Sequence, residues 1–110
     1  MTYNWGVEMI NRVEVSKRAE GSLATAPKQV AAKFFYWQRQ IEEHGLELVM
    51  KIPGYHDEAL QGKLKGYCRS VRMALGYRAY YRVVGVNVKC VLVEEVNRHD
   101  HKEIERLFGL

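Results

Sequence analysis

From residue 69 to 97 the sequence reads RSVRMALGYRAYYRVVGVNVKCVLVEEVN, rich in β-branched and aromatic residues and interrupted by Gly76 and Gly85. Runs of this composition, separated by glycine-bearing turns of two or three residues, specify strands joined as tight hairpins. The reading is three strands, over 69–75, 77–84 and 88–97, in an antiparallel meander. A chain carrying such a meander must cover at least one of its faces, and the rest of the sequence shows how.

The turns set the register. A loop Ala74-Leu75-Gly76 puts glycine at the left-handed position, pairs Met73 with Tyr77 and sets Arg72 directly opposite Arg78. A two-residue loop Gly85-Val86 then pairs Arg78 with Val93. Alternation places Val71, Met73, Tyr77, Ala79, Tyr81, Val83, Cys90, Leu92 and Val96 on one apolar side, with Glu94 as a misfit. The other side carries Ser70, Arg72, Arg78, Tyr80, Arg82, Lys89, Glu95, Asn97 and His99. A bulge would break this parity. Opposed like charges destabilise a strand pair by about several tenths of a kcal/mol. Arg72 and Arg78 therefore need an anion between them, either Glu95 or a ligand phosphate.

Upstream, residues 7–15 alternate loosely and read as a first strand, and the polar stretch 17–24 reads as a connection. A long helix follows, with Thr25 as its cap, Pro27 in its first turn and Gly45 just past its end. Val30, Phe34, Trp37 and Ile41 recur at spacings of four, three and four and form a core stripe. His44, beside Gly45, is a cation at the helix C-terminus. Residues 51–67 contain Pro53 and three glycines and read as a loop. Asp100 followed by Glu103 resembles a capping box that opens a short final helix over 100–108. The expectation is an α+β fold: a long helix packed on a mostly antiparallel four-stranded sheet, with a short C-terminal helix.

With 110 residues, the chain is expected to be a single domain over 1–110. No run is long enough to span a membrane, and the opening MTYNWGVEMINR lacks the pattern of a secretory signal. Cys68 and Cys90 fit no metal-ligand spacing, which favours reduced thiols and a cytoplasmic location. His56, in Tyr55-His56-Asp57-Glu58, lacks distant ligand partners and reads as a polar loop residue. No metal or cofactor is expected. Charge is concentrated between Lys51 and Arg82: seven basic residues less two acidic ones gives a local +5, against +4 for the whole chain. Such a segment suits a polyanionic partner.

The stretch ALQGKLKGYCRSVRMALGYRAYYRV, followed by an apolar strand and EEVNRHDH, resembles the RelE/ParE superfamily of type II toxin–antitoxin toxins. Its nearest likeness is to the RelE-type mRNA interferases. The similarity covers roughly residues 45 to 105. It rests jointly on Leu60 and Gly62, Ser70 and Arg72, Tyr77-Arg78 with Tyr81, and the histidine at the end of the last strand. The resemblance implies an endoribonuclease that cuts mRNA in the ribosomal A site and is neutralised by a cognate antitoxin. The implied chemistry is metal-independent attack of a 2′-hydroxyl on the adjacent phosphate. That reaction needs cations, a base and an acid. The implied catalytic residues are Arg78 and Arg72 as phosphate-stabilising cations, His99 as acid or stabiliser, and His101 where many relatives carry tyrosine. A position at the helix start would lower the His101 pKa. Lys63 and Lys65 are the implied contacts to ribosomal RNA, and Arg69, Tyr80 and Arg82, from the basic strand segment, are expected to add to the RNA- and ribosome-binding surface. Two other functions fit the same features: a ParE-like inhibitor of DNA gyrase, and a non-catalytic RNA-binding module.

Overall fold

The computed structural model describes residues 9–110. The first strand, β1, is Val13–Val15, shorter than expected; residues 7 and 8 of that expectation lie outside the described residues. The stretch expected to be a polar connection is instead helix α1, Lys17–Thr25. Ser16 starts it: its Oγ accepts the Ala19 N–H at 3.0 Å and donates to the Glu94 carbonyl at 2.8 Å. Ala19 and Leu23, four residues apart, are the buried pair that holds α1 down. That spacing outweighs the cost of Gly21 inside a helix.

Helix α2, Lys28–His44, buries Val30, Phe34, Trp37 and Ile41, the expected stripe. Thr25 does not cap it. Thr25 ends α1, with its hydroxyl turned back to the Gly21 and Ser22 carbonyls. The N-cap of α2 is Pro27, whose carbonyl accepts the Val30 and Ala31 N–H groups. Gly45, at φ +87°, closes α2 and leads into a short helix α3, Leu46–Met50, which periodicity had not suggested.

Among the described residues the sheet has five strands, β1 with Glu58–Ala59 (β2), Arg69–Arg72 (β3), Arg78–Val84 (β4) and Cys90–Asn97 (β5), in the order β1-β5-β4-β3-β2. Strands β3, β4 and β5 form the expected meander, and β1 joins β5 in parallel, so the sheet is mixed. The fifth strand corrects the expected count of four. It is β2, Glu58–Ala59, paired with β3 inside the stretch read as a loop. Turns of 3-10 helix at Pro53–Tyr55 and Gly62–Leu64 flank it. The chain closes with α4, His101–Leu107, where the Asp100 Oδ1 accepts the Glu103 N–H at 3.1 Å.

The β3–β4 register is as expected, with Arg72 opposite Arg78 and the Met73 N–H bonded to the Tyr77 carbonyl at 2.9 Å. The β4–β5 register is not. Val84 pairs with Cys90, so the loop is five residues, 85–89, and Arg78 faces Asn97 rather than Val93. Gly85, at φ +104°, explains the longer loop. A Cβ there would lie 2.2 Å from the Val88 carbonyl oxygen, so only glycine lets the chain fold back this closely. A bulge at Tyr80/Tyr81 takes up the difference, with Glu94 as the unpaired extra residue. Beyond the bulge Glu95 and Asn97 keep the expected side. Before it the parity is reversed, and Val91 and Val93, not Cys90 and Leu92, join the main core.

Both faces of the sheet are packed. Helices α1 and α2 cover one, where the Trp37 ring lies 5.7 Å from that of Tyr81. Truncating a buried Trp of this kind costs about 3–5 kcal/mol. The other face carries a second cluster of Leu60, Leu64, Cys68, Tyr80 and Ile104, with Phe108 against it. No described helix is long and apolar enough to cross a membrane.

Candidate active site

The site lies on that second face, beside the small apolar cluster. Cross-strand pairing lines up Glu58 of β2, Ser70 of β3 and Tyr80 of β4 in one row. One step along, on the same side, Arg72 stands opposite Arg78. The two arginines differ in setting. Arg72 is exposed and has no carboxylate partner among the described residues. Its charge also bears on Lys33, whose pKa is lowered by burial first and by Arg72 second. Arg78 is only 5% exposed, where an exposed guanidinium had been expected. Its Nη2 donates to Glu58 Oε1 at 2.9 Å, while its buried Nε has no protein partner.

Glu58 was not among the residues singled out from the sequence. His56 Nε2 approaches its second oxygen, Oε2, at 3.2 Å, so the carboxylate is gripped at both ends. Burial pushes the Glu58 carboxyl up, but the Arg78 and His56 contacts outweigh it, and the group is held below the usual glutamate range. Nothing in local spacing marks Glu58 as a site residue; the short β2–β3 pairing brings it there. His56, read as a bland loop residue, sits in a left-handed turn at φ +45° at the mouth of this arrangement.

The histidines come together as a pair. His99 lies two residues past the end of β5, at φ +60°, and its ring centroid is 4.8 Å from that of His101. The His101 ring sits edge-on to Tyr80, with centroids 5.8 Å apart, and its buried Nε2 has no protein partner. The His101 pKa is lowered, as expected, though burial is the first cause and the His99 and Arg78 charges follow. Arg78, Glu58 and His99 thus all act on His101.

Several expected contacts are placed differently. Glu95, the protein anion expected between the arginines, is 3% exposed and turned toward α1. It accepts from Ser22 Oγ at 2.5 Å and lies 3.9 Å from Arg18 Nη1. Tyr80 is fully buried and cannot meet RNA; its ring is packing for the second cluster. Arg69 alternates to the helix side of β3, where its Nε donates to Asp57 Oδ1 at 2.7 Å. Asp57 also accepts the Tyr81 hydroxyl at 2.6 Å, so Arg69 is committed to an internal ion pair. Arg82 remains accessible, pairing with the bulge residue Glu94 at 2.9 Å and lying 5.9 Å over the Phe108 ring. Lys63 and Lys65 are exposed on the turn that covers this face. No group of three or more His, Cys, Asp or Glu side chains among the described residues is arranged to hold a metal ion.

A buried guanidinium, an exposed one opposite it, an ionised carboxylate and two touching imidazoles make an arrangement able to bind a phosphodiester and move protons around it. Solved structures with the same chain path carry related names. YafQ from E. coli is 20% identical, with a TM-score of 0.60 over 88% of this chain and 97% of that one. The RelE-like fold is the one this chain has. A YoeB/ParE toxin from Agrobacterium tumefaciens matches with a TM-score of 0.59 at 17% identity, over 81% of this chain and 99% of that one. The toxin–antitoxin complex RelBE2 from Mycobacterium tuberculosis contains a chain matching with a TM-score of 0.56 at 18% identity, over 83% and 98%. No family profile matches the sequence, and no curated protein is similar to it. The likeness to RelE-like toxins is thus carried by the fold, at identities too low to transfer an activity.

Proposed function

We propose that this chain is the toxin of a type II toxin–antitoxin pair, an endoribonuclease that cuts mRNA on the ribosome. One observation carries the reading: Glu58 and the His99–His101 pair gather around Arg78, and Arg72 stands opposite Arg78 on the adjacent strand. Glu58 offsets the charge of Arg78, while Arg72 has no carboxylate partner among the described residues, so the pair keeps a net positive charge suited to a phosphate.

The chemistry follows from the groups present. A phosphate entering beside the exposed guanidinium of Arg72 draws Arg78, whose buried Nε has no protein partner, away from Glu58. Glu58 takes the proton of the 2′-hydroxyl, whose oxygen attacks phosphorus. The P–O5′ bond breaks, and His99 in its protonated form supplies the proton to the leaving oxygen, with the neutral His101 ring packed against it. The products are a 2′,3′-cyclic phosphate and a 5′-hydroxyl. A low pKa makes Glu58 a weak base in the resting protein. Phosphate binding corrects this: once Arg78 turns to the substrate, Glu58 loses its strongest stabilising contact and its proton affinity rises. Lys63, Lys65 and Arg82 supply sequence-independent contacts to ribosomal RNA. The inhibitory partner is a cognate antitoxin, by analogy with the complex named for one structural neighbour.

Expression without an antitoxin, followed by mapping of mRNA ends, tests the reading. Growth arrest with cuts at ribosome-occupied codons is the expected result. Arrest with intact mRNA and damaged DNA would point to a gyrase inhibitor, and RNA binding without cleavage to a non-catalytic module.

A further inference from the structure

We infer that His56 is a positioning residue for the nuclease reaction, holding Glu58 in place at the moment Arg78 leaves it for the substrate phosphate. The inference rests on the proposed function, and it concerns a step that the resting contacts alone do not explain. Glu58 meets two groups: Arg78 Nη2 donates to Oε1 at 2.9 Å, and His56 Nε2 lies 3.2 Å from Oε2. If phosphate draws Arg78 away, the first anchor is lost as the carboxylate must meet the 2′-hydroxyl. The side chain is 45% exposed and has solvent to swing into. A base displaced by about 1 Å can lose on the order of a hundredfold in rate.

His56 is built for this holding role. It stands outside the sheet, two residues before Glu58, at the end of the Pro53–Tyr55 turn. Its own N–H bonds to the Pro53 carbonyl at 3.0 Å, which fixes the backbone from which the ring projects. The left-handed conformation turns that ring onto Oε2; an extended backbone there would aim it elsewhere. Because the two donors take different oxygens, departure of Arg78 leaves the His56 contact intact. The charged or titratable groups facing Glu58 are His56 on its own turn, Arg78 on β4 and His101 on α4. His101 is biased toward its neutral form, so with Arg78 engaged His56 is the remaining close donor.

Two variants separate positioning from other roles. His56→Gly keeps the left-handed backbone without strain and removes the donor. His56→Gln keeps an N–H donor of similar reach. For the full-length protein on programmed ribosomes, His56→Gly should lower kcat by about ten- to a hundredfold with little change in KM. The acid limb of its rate profile should move to higher pH, because Glu58 loses a contact that favours its charged form. His56→Gln should recover most of kcat. A carbon-13 titration of the Glu58 carboxyl, read without any RNA, should show the same upward shift in His56→Gly. An unmoved titration and unchanged kcat in His56→Gly would overturn the inference, as would a His56→Gln variant as slow as His56→Gly. A wild-type protein that cuts nothing would overturn the nuclease reading instead, and the carboxyl titration would still decide whether His56 holds Glu58.

Discussion

Arg78 and Glu58, 20 residues apart in sequence, meet across strand β3 with Nη2 and Oε1 2.9 Å apart. The resting site therefore keeps its buried cation half-satisfied: one edge holds the carboxylate, and Nε has no protein partner. Under the proposed function a substrate phosphate competes with Glu58 for the same guanidinium, so removing the carboxylate should have opposite effects on binding and on chemistry. Glu58→Gln is expected to bind ribosome-held mRNA more tightly and to cut it about a hundredfold or more slowly. Single-turnover rates and binding measured together check this. Weaker binding in Glu58→Gln would contradict the competition.

The opposed arginines should separate function from stability. Arg72 is exposed and has no carboxylate partner among the described residues. Arg72→Ala relieves a like-charge contact and should raise stability by about several tenths of a kcal/mol. Its cleavage rate should fall by about a hundredfold, in the range for loss of one electrostatic stabiliser. Arg78→Ala should abolish growth inhibition and, because it empties a buried site and unpairs Glu58, should also lower stability, unlike Arg72→Ala. Urea unfolding alongside the cleavage assay reads both quantities.

Tyr80 was expected to touch RNA and is instead sealed in the second cluster. Its buried hydroxyl has no protein partner. Tyr80→Phe keeps the ring and removes that hydroxyl, so stability should stay level or rise by up to about 1 kcal/mol. Affinity for ribosomes should not change. A loss of affinity would restore Tyr80 to the binding surface.

Glu95 is buried among Ser22, Arg18 and Glu103, and its pKa is raised, first by burial. A carboxyl whose folded pKa exceeds its unfolded value binds more protons in the folded state between the two. Stability is therefore lost as pH rises from the unfolded value through the folded one. Glu95→Gln removes that loss, so its advantage over wild type should be absent at pH 4 and present at neutral pH. Melting temperature against pH, measured for both proteins, gives the comparison.

How far the sequence discloses this molecule depends on the range of the contacts involved. The α2 stripe, the β3–β4 hairpin and the Asp100 cap depend on residues close in sequence, and periodicity or turn chemistry reveals them. Helix α1 was obscured because Gly21 and a polar surface outweighed the Ala19–Leu23 pair in a local reading. The β4–β5 register failed because loop length is fixed by how Gly85 closes over Val88, a contact without a compositional signature. The misfit Glu94 was the visible trace of the bulge: a lone carboxylate on the apolar side is the residue the ladder ejects toward Arg82.

The site shows the same division. Arg72 and Arg78 were legible because their opposition follows from one hairpin. Glu58 was not, because a two-residue strand leaves almost no periodic signal, and its approach to Arg78 is tertiary. Arg69 was misplaced because charge count alone ignored the alternation that sends it to Asp57.

The central claim is that this surface breaks RNA by attack of its own 2′-oxygen. The direct measurement uses ribosomes carrying an mRNA with a single 2′-deoxynucleotide at the cut position, beside the all-ribose message. The account predicts a 2′,3′-cyclic phosphate and a 5′-hydroxyl from the ribose message and no product from the deoxy one. Equal cutting of both messages, or intact ribose mRNA in cells whose growth this protein has stopped, would contradict it.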